Sequence, residues 1–244
     1  MFKKRWCIIV FVLLFSLMFE AKAIDFMGPP TAGLKQGQWD VGFIYSFSEM
    51  DLEVSGYGIS DTLKNVESNR YWANLGYGLA DWLEINLRLG AANAEADDLE
   101  FDGSTDFAWG FNTKITFASD EKIDWGALFQ MSWLKTDDSY DFSAYGYSGS
   151  ADVEVDAYEI QIALGPTLKM EGWKLYGGPF VHLVEGDLDA KVAGVTYGFD
   201  LEEDSAFGGY VGTQIDLAEN TALNVEGQLT GGGWGIGGGI VWKF

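Results

Sequence analysis

Cysteine is all but missing from this 244-residue sequence: the one copy is Cys7, close to the amino terminus. Histidine also occurs once, as His182, and proline four times. Without further cysteines there is no disulfide framework, no cysteine zinc site and no thiolate nucleophile in the body of the chain. Basic residues are scarce too, 15 Lys+Arg against 37 Asp+Glu, which argues against a phosphate backbone as partner and so against nucleic acid. No GxSxG motif or zinc spacing occurs. GGGWGIGGG has the glycines of a phosphate loop but neither its lysine nor a following helix. With few prolines and 16% aromatic residues, the composition is neither disordered nor collagen-like.

The first 23 residues, MFKKRWCIIVFVLLFSLMFEAKA, place Lys3, Lys4 and Arg5 before an apolar run from Cys7 to Phe19 and end on Ala21-Lys22-Ala23. This is the layout of a secretory signal peptide cleaved after Ala23. The run falls short of the roughly 20 residues a membrane-spanning helix needs. Cleavage removes four basic residues, one acid and Cys7, leaving 11 Lys+Arg against 36 Asp+Glu and a net charge of −25. Residues 24–37 then form a periplasmic tail or a short plug. No linker or composition shift divides 38–244, which reads as one domain.

What is present is a period of two. In WLEINLRLGA, Leu83, Ile85, Leu87 and Leu89 alternate with Glu84, Asn86, Arg88 and Gly90; in WDVGFIYSF, Trp39, Val41, Phe43, Tyr45 and Phe47 share a face. Such alternation marks strands with one apolar and one polar face. Ten segments follow it: 38–49, 67–78, 82–92, 106–118, 123–135, 155–168, 173–186, 205–217, 221–230 and 234–244. Each is about the 9–11 residues that cross a bilayer obliquely. Short connections near 79–81, 119–122, 169–172 and 218–220 alternate with long ones at 51–66, 93–105, 136–154 and 187–204, and a tight turn lies at 231–233. Trp39, Tyr77, Trp82, Phe117, Trp125, Trp173, Trp242 and Phe244 gather toward the short turns. Phe47, Tyr71, Phe107, Trp109, Trp133 and Tyr158 gather toward the long loops. Two aromatic girdles around an aliphatic band, with turns of alternating length, predict an all-β transmembrane antiparallel up-and-down barrel of ten strands, with eight and twelve as the alternatives.

The end of the chain, Trp234, Ile236, Gly238, Ile240, Trp242 and a terminal Phe244 at every second position, resembles the carboxyl-terminal assembly signal of bacterial outer-membrane β-barrel proteins, and YGLADWLEINLRLG is similar to their strand–turn–strand units. The resemblance implies an outer-membrane location and contact with outer-membrane lipid and lipopolysaccharide. It also implies recognition by the barrel-assembly machinery through Ile240, Trp242 and Phe244. It selects no subfamily.

On the opposite face the pattern gathers a polar lumen network, with Arg70, Glu84, Arg88, Lys114, Glu159, His182 and Glu226 as its ionisable members. Buried charges need partners, so acids and bases are expected to pair across a narrow interior. Eight strands enclose a space that side chains fill, and wide aqueous channels need about sixteen. A ten-stranded barrel is therefore expected to be mostly filled, with at most a narrow path beside the lumen-facing Gly235, Gly237 and Gly239. The leading function is a non-enzymatic structural or small porin-like barrel, with no cofactor, no metal and no catalytic residue.

Two alternatives accompany that reading. The omptin proteases share the strand number and compartment, but Phe180 stands where their aspartate would precede His182. Val184 stands where a lipid A deacylase would carry serine, and Glu185 falls on the opposite face. Surface adhesion or ligand binding is the other alternative, through loops rich in acids (Asp97, Asp98, Glu100, Asp102 and Asp106; Asp137, Asp138, Asp141, Asp152, Glu154 and Asp156) and in Tyr140, Tyr145, Tyr147, Ser143, Ser148 and Ser150. These acids form a solvated rim or bind divalent cations that bridge to lipid phosphates, although their spacing is not that of a calcium loop. LEVSGYG and VEVDAYE can also be strands continuing above the membrane. Pro166 and Pro179, in LGPT and GGPF, predict bulges.

Overall fold

The alternating segments close into one ring. The computed structural model describes residues 25–96, 101–144, 147–192, 195–203 and 207–244. The expected leader with Cys7 and its expected cleavage point, the loop residues Asp97, Asp98, Glu100 and Tyr145, and the side chains of Tyr140, Asp141, Ser143, Tyr147 and Ser148 lie outside the described residues. In chain order the strands are β1 (Trp39–Gly56), β2 (Ile59–Ala80), β3 (Leu83–Ala92), β4 (Glu95–Ala96), β5 (Phe101–Asp102), β6 (Asp106–Ser119), β7 (Ile123–Ala144), β8 (Tyr147–Met170), β9 (Trp173–Val192), β10 (Val195–Glu203), β11 (Phe207–Ala218), β12 (Thr221–Thr230) and β13 (Gly233–Lys243).

Ten of them form the barrel, β1-β2-β3-β6-β7-β8-β9-β11-β12-β13, every neighbour antiparallel. β1 closes it, pairing with β2 on one side and with β13 on the other, from Asp40↔Lys243 to Met50↔Gly233. The remaining three strands lie at the long-hairpin end. β4 and β5 make a small hairpin against β2. β10 pairs with β9 and then, through Asp200–Glu203, with Leu52–Ser55 of β1, passing above the short β12–β13 hairpin.

Three of the four long connections are not loops. β7 and β8 run 22 and 24 residues and stay paired out to Ala144↔Tyr147. Residues 51–66, 136–154 and 187–204 are mostly strands continuing outward, the reading also open for LEVSGYG and VEVDAYE. β1 turns into β2 at Tyr57-Gly58, both with positive φ (54° and 79°), as a two-residue hairpin of this twist requires.

The outward face of the ring is apolar: Phe43 is 55% exposed, Leu87 44%, Ile162 49% and Leu164 48%. Trp39, Trp82, Phe117, Trp125, Trp173, Trp242 and Phe244 ring the short-turn end on the outside. Tyr71, Phe107 and Trp109 stand toward the other end, where Trp109 stacks on Trp133 at 4.1 Å. A continuous aliphatic band between two aromatic girdles is costly against water, at about 25 cal/mol per Å² of apolar surface, and suits hydrocarbon. This is the architecture of a transmembrane barrel.

Above the band the chemistry of the two faces exchanges while the alternation keeps its phase. Along β8 the inward row reads Ala151, Val153, Val155 and Ala157 before it becomes Glu159 and Gln161. The outward row reads Asp152, Glu154 and Asp156 before it becomes Tyr158, Ile160 and Ile162. β9 does the same, with Val184 and Leu188 inside above His182, and Glu185, Asp187 and Asp189 outside. The inward apolar residues of these extensions meet in a core of Met50, Val66, Ala96, Phe101, Val153, Val184, Leu188 and Leu201. The long hairpins thus fold into a dome over the barrel, with its own hydrophobic interior and an acidic outer skin. A merely solvated rim was the expectation; it describes the outer surface and omits this core.

The bulges expected at Pro166 and Pro179 are absent. The register shifts lie elsewhere, at Met50/Leu52, Gly78/Ala80, Thr116/Ala118 and Asp216/Ala218. At the prolines the β8–β9 ladder instead lapses and resumes in the same register, from Ala163↔Phe180 to Thr167↔Tyr176. Two facing strands that each lack an N–H at this height lose bonds without needing an extra residue.

Candidate functional site in the barrel lumen

The segment preceding β1 does not hang below the barrel. It enters at the short-turn end, where Gly37 N donates to Gly78 O (2.8 Å) and Gln36 N to Asp81 Oδ1 (2.9 Å). From there it lies in the lumen as far as Asp25, with Leu34, Thr31, Met27, Phe26 and Asp25 all buried. Residues 24–37 are expected as a periplasmic tail, with a plug as the lesser alternative; the described part from Asp25 to Leu34 lies instead in the lumen.

The plug makes room for itself by glycine. A Cβ on Gly237 of β13 would stand 2.8 Å from Phe26 Cβ, and one on Gly126 of β7 would stand 2.6 Å from Pro30 O. The expected narrow path beside the β13 glycines is therefore not found: at Gly237 the space belongs to Phe26, and at Gly239 to Ile44 of β1.

All seven ionisable residues assigned to the lumen point into it, and six are buried; Lys114 retains 14% side-chain exposure. Their partners differ from simple pairing across the wall. Arg70 does pair with Glu159, whose Oε1 lies 2.9 Å from His182 Nε2. Lys114 Nζ lies 3.6 Å from Glu84. Arg88, however, grips the plug: its Nη1 and Nη2 donate to Asp25 Oδ2 (2.8 Å) and Oδ1 (3.2 Å), and its guanidinium lies 4.6 Å from the Trp72 ring. Asp25 also accepts from Ser46 Oγ (2.9 Å) and Trp72 Nε1 (3.2 Å), with Arg70 Nη1 at 3.8 Å.

The glutamates bind the plug by its backbone. Glu226 accepts from Met27 N and Gly28 N, both at 3.0 Å, and from Gln228 Nε2 at 2.6 Å. Glu84 accepts from Gly33 N (2.7 Å) and Leu34 N (3.1 Å), and Glu159 from Asp25 N (3.2 Å). Gln161 and Gln228 both donate to Asp25 O, at 3.1 and 2.8 Å. A carboxylate receiving two backbone N–H groups satisfies donors that an extended segment would otherwise bury unpaired.

Asp25 is the residue that sequence reasoning missed. The signal for it was arithmetic: the polar face offers two arginines in mid-lumen, Arg70 and Arg88, and one nearby acid, Glu159. Beside the plug a cavity of about 50 Å³ remains, lined by Asn74, Asn112, Lys114, Lys174, Asn224 and Lys243, room for a few water molecules. At the opposite end Asp137, Asp138, Asp152, Glu154, Asp189 and Lys191 line an open groove of about 480 Å³. Among the described residues no three His, Cys, Asp or Glu side chains are arranged to hold a metal ion.

The carboxyl-terminal residues lie on the outside. Trp242 is 39% exposed, Ile240 partly so, and Phe244 N donates to Trp39 O at 2.8 Å.

No protein-family model matches the chain, and neither does any curated protein. Solved structures of similar shape include the translocator domain of the autotransporter NalP of Neisseria meningitidis (TM-score 0.49, 10% identity, 87% of this chain and 90% of that one). The outer-membrane protease OmpT of Escherichia coli is similar at TM-score 0.48 and 12% identity, over 91% of this chain and 99% of that one. Ail, the attachment invasion locus protein of Yersinia pestis, is similar at 0.38 and 13%, over 86% and 100%.

Proposed function

We propose that this protein is a bacterial outer-membrane barrel without enzymatic activity, structural in its resting form, whose lumen becomes a narrow channel for small solutes when its own amino-terminal segment leaves. The apolar band and girdles support the membrane, and the resemblance of the Trp234, Ile236, Ile240 and Trp242 pattern to outer-membrane barrel strands supports the outer one. The observation that carries the closed state is the capture of Asp25 by Arg88 and Arg70 in the middle of the lumen. Ten strands enclose slightly more space than wall side chains fill, and the plug takes up the difference. Against catalysis stands the setting of His182, fully buried beside Glu159 and without a surface from which to meet a substrate.

The test is conductance in planar bilayers. The intact protein is expected to be silent, and a variant lacking residues 25–34 is expected to show discrete small steps. A deletion variant that folds, shown by heat-modifiable migration on a detergent gel, and yet stays silent removes the channel and leaves the structural role. Quantitative recovery of the intact protein from the soluble periplasm would sink the membrane assignment itself.

A further inference from the structure

Among the described residues, the ladder between β8 and β9 lapses over three positions without a shift of register. Three register positions, Leu164 opposite Pro179, Gly165 opposite Gly178 and Pro166 opposite Gly177, carry no ladder pairing, while the ladder is intact above and below them. Neither proline can donate. The backbones nevertheless touch: a Cβ on Gly165 would stand 2.0 Å from Gly177 O, and one on Gly178 2.1 Å from Leu164 O. Close contact of glycine backbone closes the gap, where the two prolines leave fewer N–H donors to hold the strands together.

What lies on either side matches a lipid. Outside, Leu164 is 48% exposed and Pro179 exposed, and Pro166 pairs with Trp125 of the short-turn girdle. The seam therefore starts at the level of lipid ester groups and rises into the acyl region. Inside, the lumen loses its polar character at this spot. Met27 of the plug, Leu128, Ala163, Tyr176, Phe180 and Tyr210 form a buried cluster directly behind the seam. The Tyr210 hydroxyl is buried without a hydrogen-bond partner among the described residues, 3.3 Å from where a Gly165 Cβ would be. A donor held unpaired behind a wall of glycine is satisfied when a carbonyl oxygen comes through that wall. Met27, unbranched and flexible, is the side chain that an incoming chain displaces most easily.

We propose that the β8–β9 seam is a lateral port through which one acyl chain of a glycerolipid in the short-turn leaflet enters the lumen, its ester carbonyl accepting the Tyr210 hydroxyl. The port rests on the membrane-spanning reading, and the experiment separates the two.

The intact protein is reconstituted in phosphatidylethanolamine–phosphatidylglycerol vesicles containing a phosphatidylcholine with a diazirine near the carbonyl end of one chain, then irradiated and mapped by peptide. Labelling of Met27, Tyr176 or Tyr210 is expected alongside labelling of outward Leu183 and Val211. In L164C/P179C, oxidation is expected to cut the lumen label at least tenfold, with recovery on reduction and no change outside. P166V/P179V, which restores two N–H donors, is expected to lower it as well. Label on Leu183 and Val211 with none in the lumen overturns the port, and so does a lumen label indifferent to the staple. Absence of label on the outward residues overturns the membrane reading and the port with it.

Discussion

Asp25 is held by two guanidinium groups, and each of the three charges is costly to leave alone in the lumen. Asp25→Asn keeps the shape of the side chain and strands Arg88. The expected loss is about 3–5 kcal/mol, the usual cost of breaking a buried pair by removing one partner, read as a lower midpoint of urea unfolding in detergent or vesicles. If the pair is the cause, Asp25→Asn with Arg88→Gln recovers part of that loss, and strict additivity of the two single changes contradicts it. At this scale the sequence was legible where strand phase decides the direction: Arg70, Glu84, Arg88, Glu159, His182 and Glu226 fall on alternate positions whose faces are plain. It was silent on partners, because those depend on which strands end up opposite and on what fills the space between them. The segment IDFMGPPTAG carries no periodicity, so nothing local said that its aspartate faces two arginines.

Among the elements, β13 shows most clearly how a pattern was read correctly and its purpose missed. Gly235, Gly237 and Gly239 do face inward; the room they leave is the seat of Phe26 at one of these positions and of Ile44 at another. Gly237→Val places carbon where the Phe26 side chain sits and is expected to eject the plug while leaving the ladder with β1 and β12 intact. The check is a protease site at the plug that becomes cleavable in the folded barrel; continued protection would mean that the plug repacks around the valine. The prolines teach the complementary lesson. A single strand with proline predicts a bulge, and only the register of β8 against β9 brings Pro166 and Pro179 to one seam. That register is set by the turn at Glu171-Gly172, where Gly172 has φ 77°. Strand pairing, unlike strand phase, is a property of two segments at once, which is why it could not be read from either.

The whole molecule is two β structures continued through one set of strands: a barrel with its apolar face out, and a dome with its apolar face in. Period-two analysis reports the same signal for both, since alternation does not say which face is buried. The charges did carry the information. Acids alternate with apolar residues in VEVDA as polar groups alternate in the barrel, yet here they are Asp and Glu alone, without the amides and arginines that a closed lumen requires. Val153→Asp inserts a charge into the dome core and none into the barrel. The expected outcome is proteolytic trimming of the long hairpins, with a loss of about 3–5 kcal/mol confined to them, while heat-modifiable migration persists. Loss of both together would mean that dome and barrel unfold as one unit.

The exchange of faces along β8 and β9 also fixes where the molecule can float. On β8 the outward row passes from Asp156 to Ile160 in four residues, about 13 Å of strand, with Tyr158 between them. A bilayer thicker than the band would have to submerge the row of carboxylates, and a thinner one would wet the isoleucines. The dome, being folded, cannot bend its hairpins aside to adapt, and the aromatic girdle at the other end leaves no slack. Each ångström of hydrophobic mismatch costs a fraction of a kcal/mol, multiplied over the circumference. The protein is thus a gauge of hydrocarbon thickness, and membranes of different depth will hold it with measurably different strength.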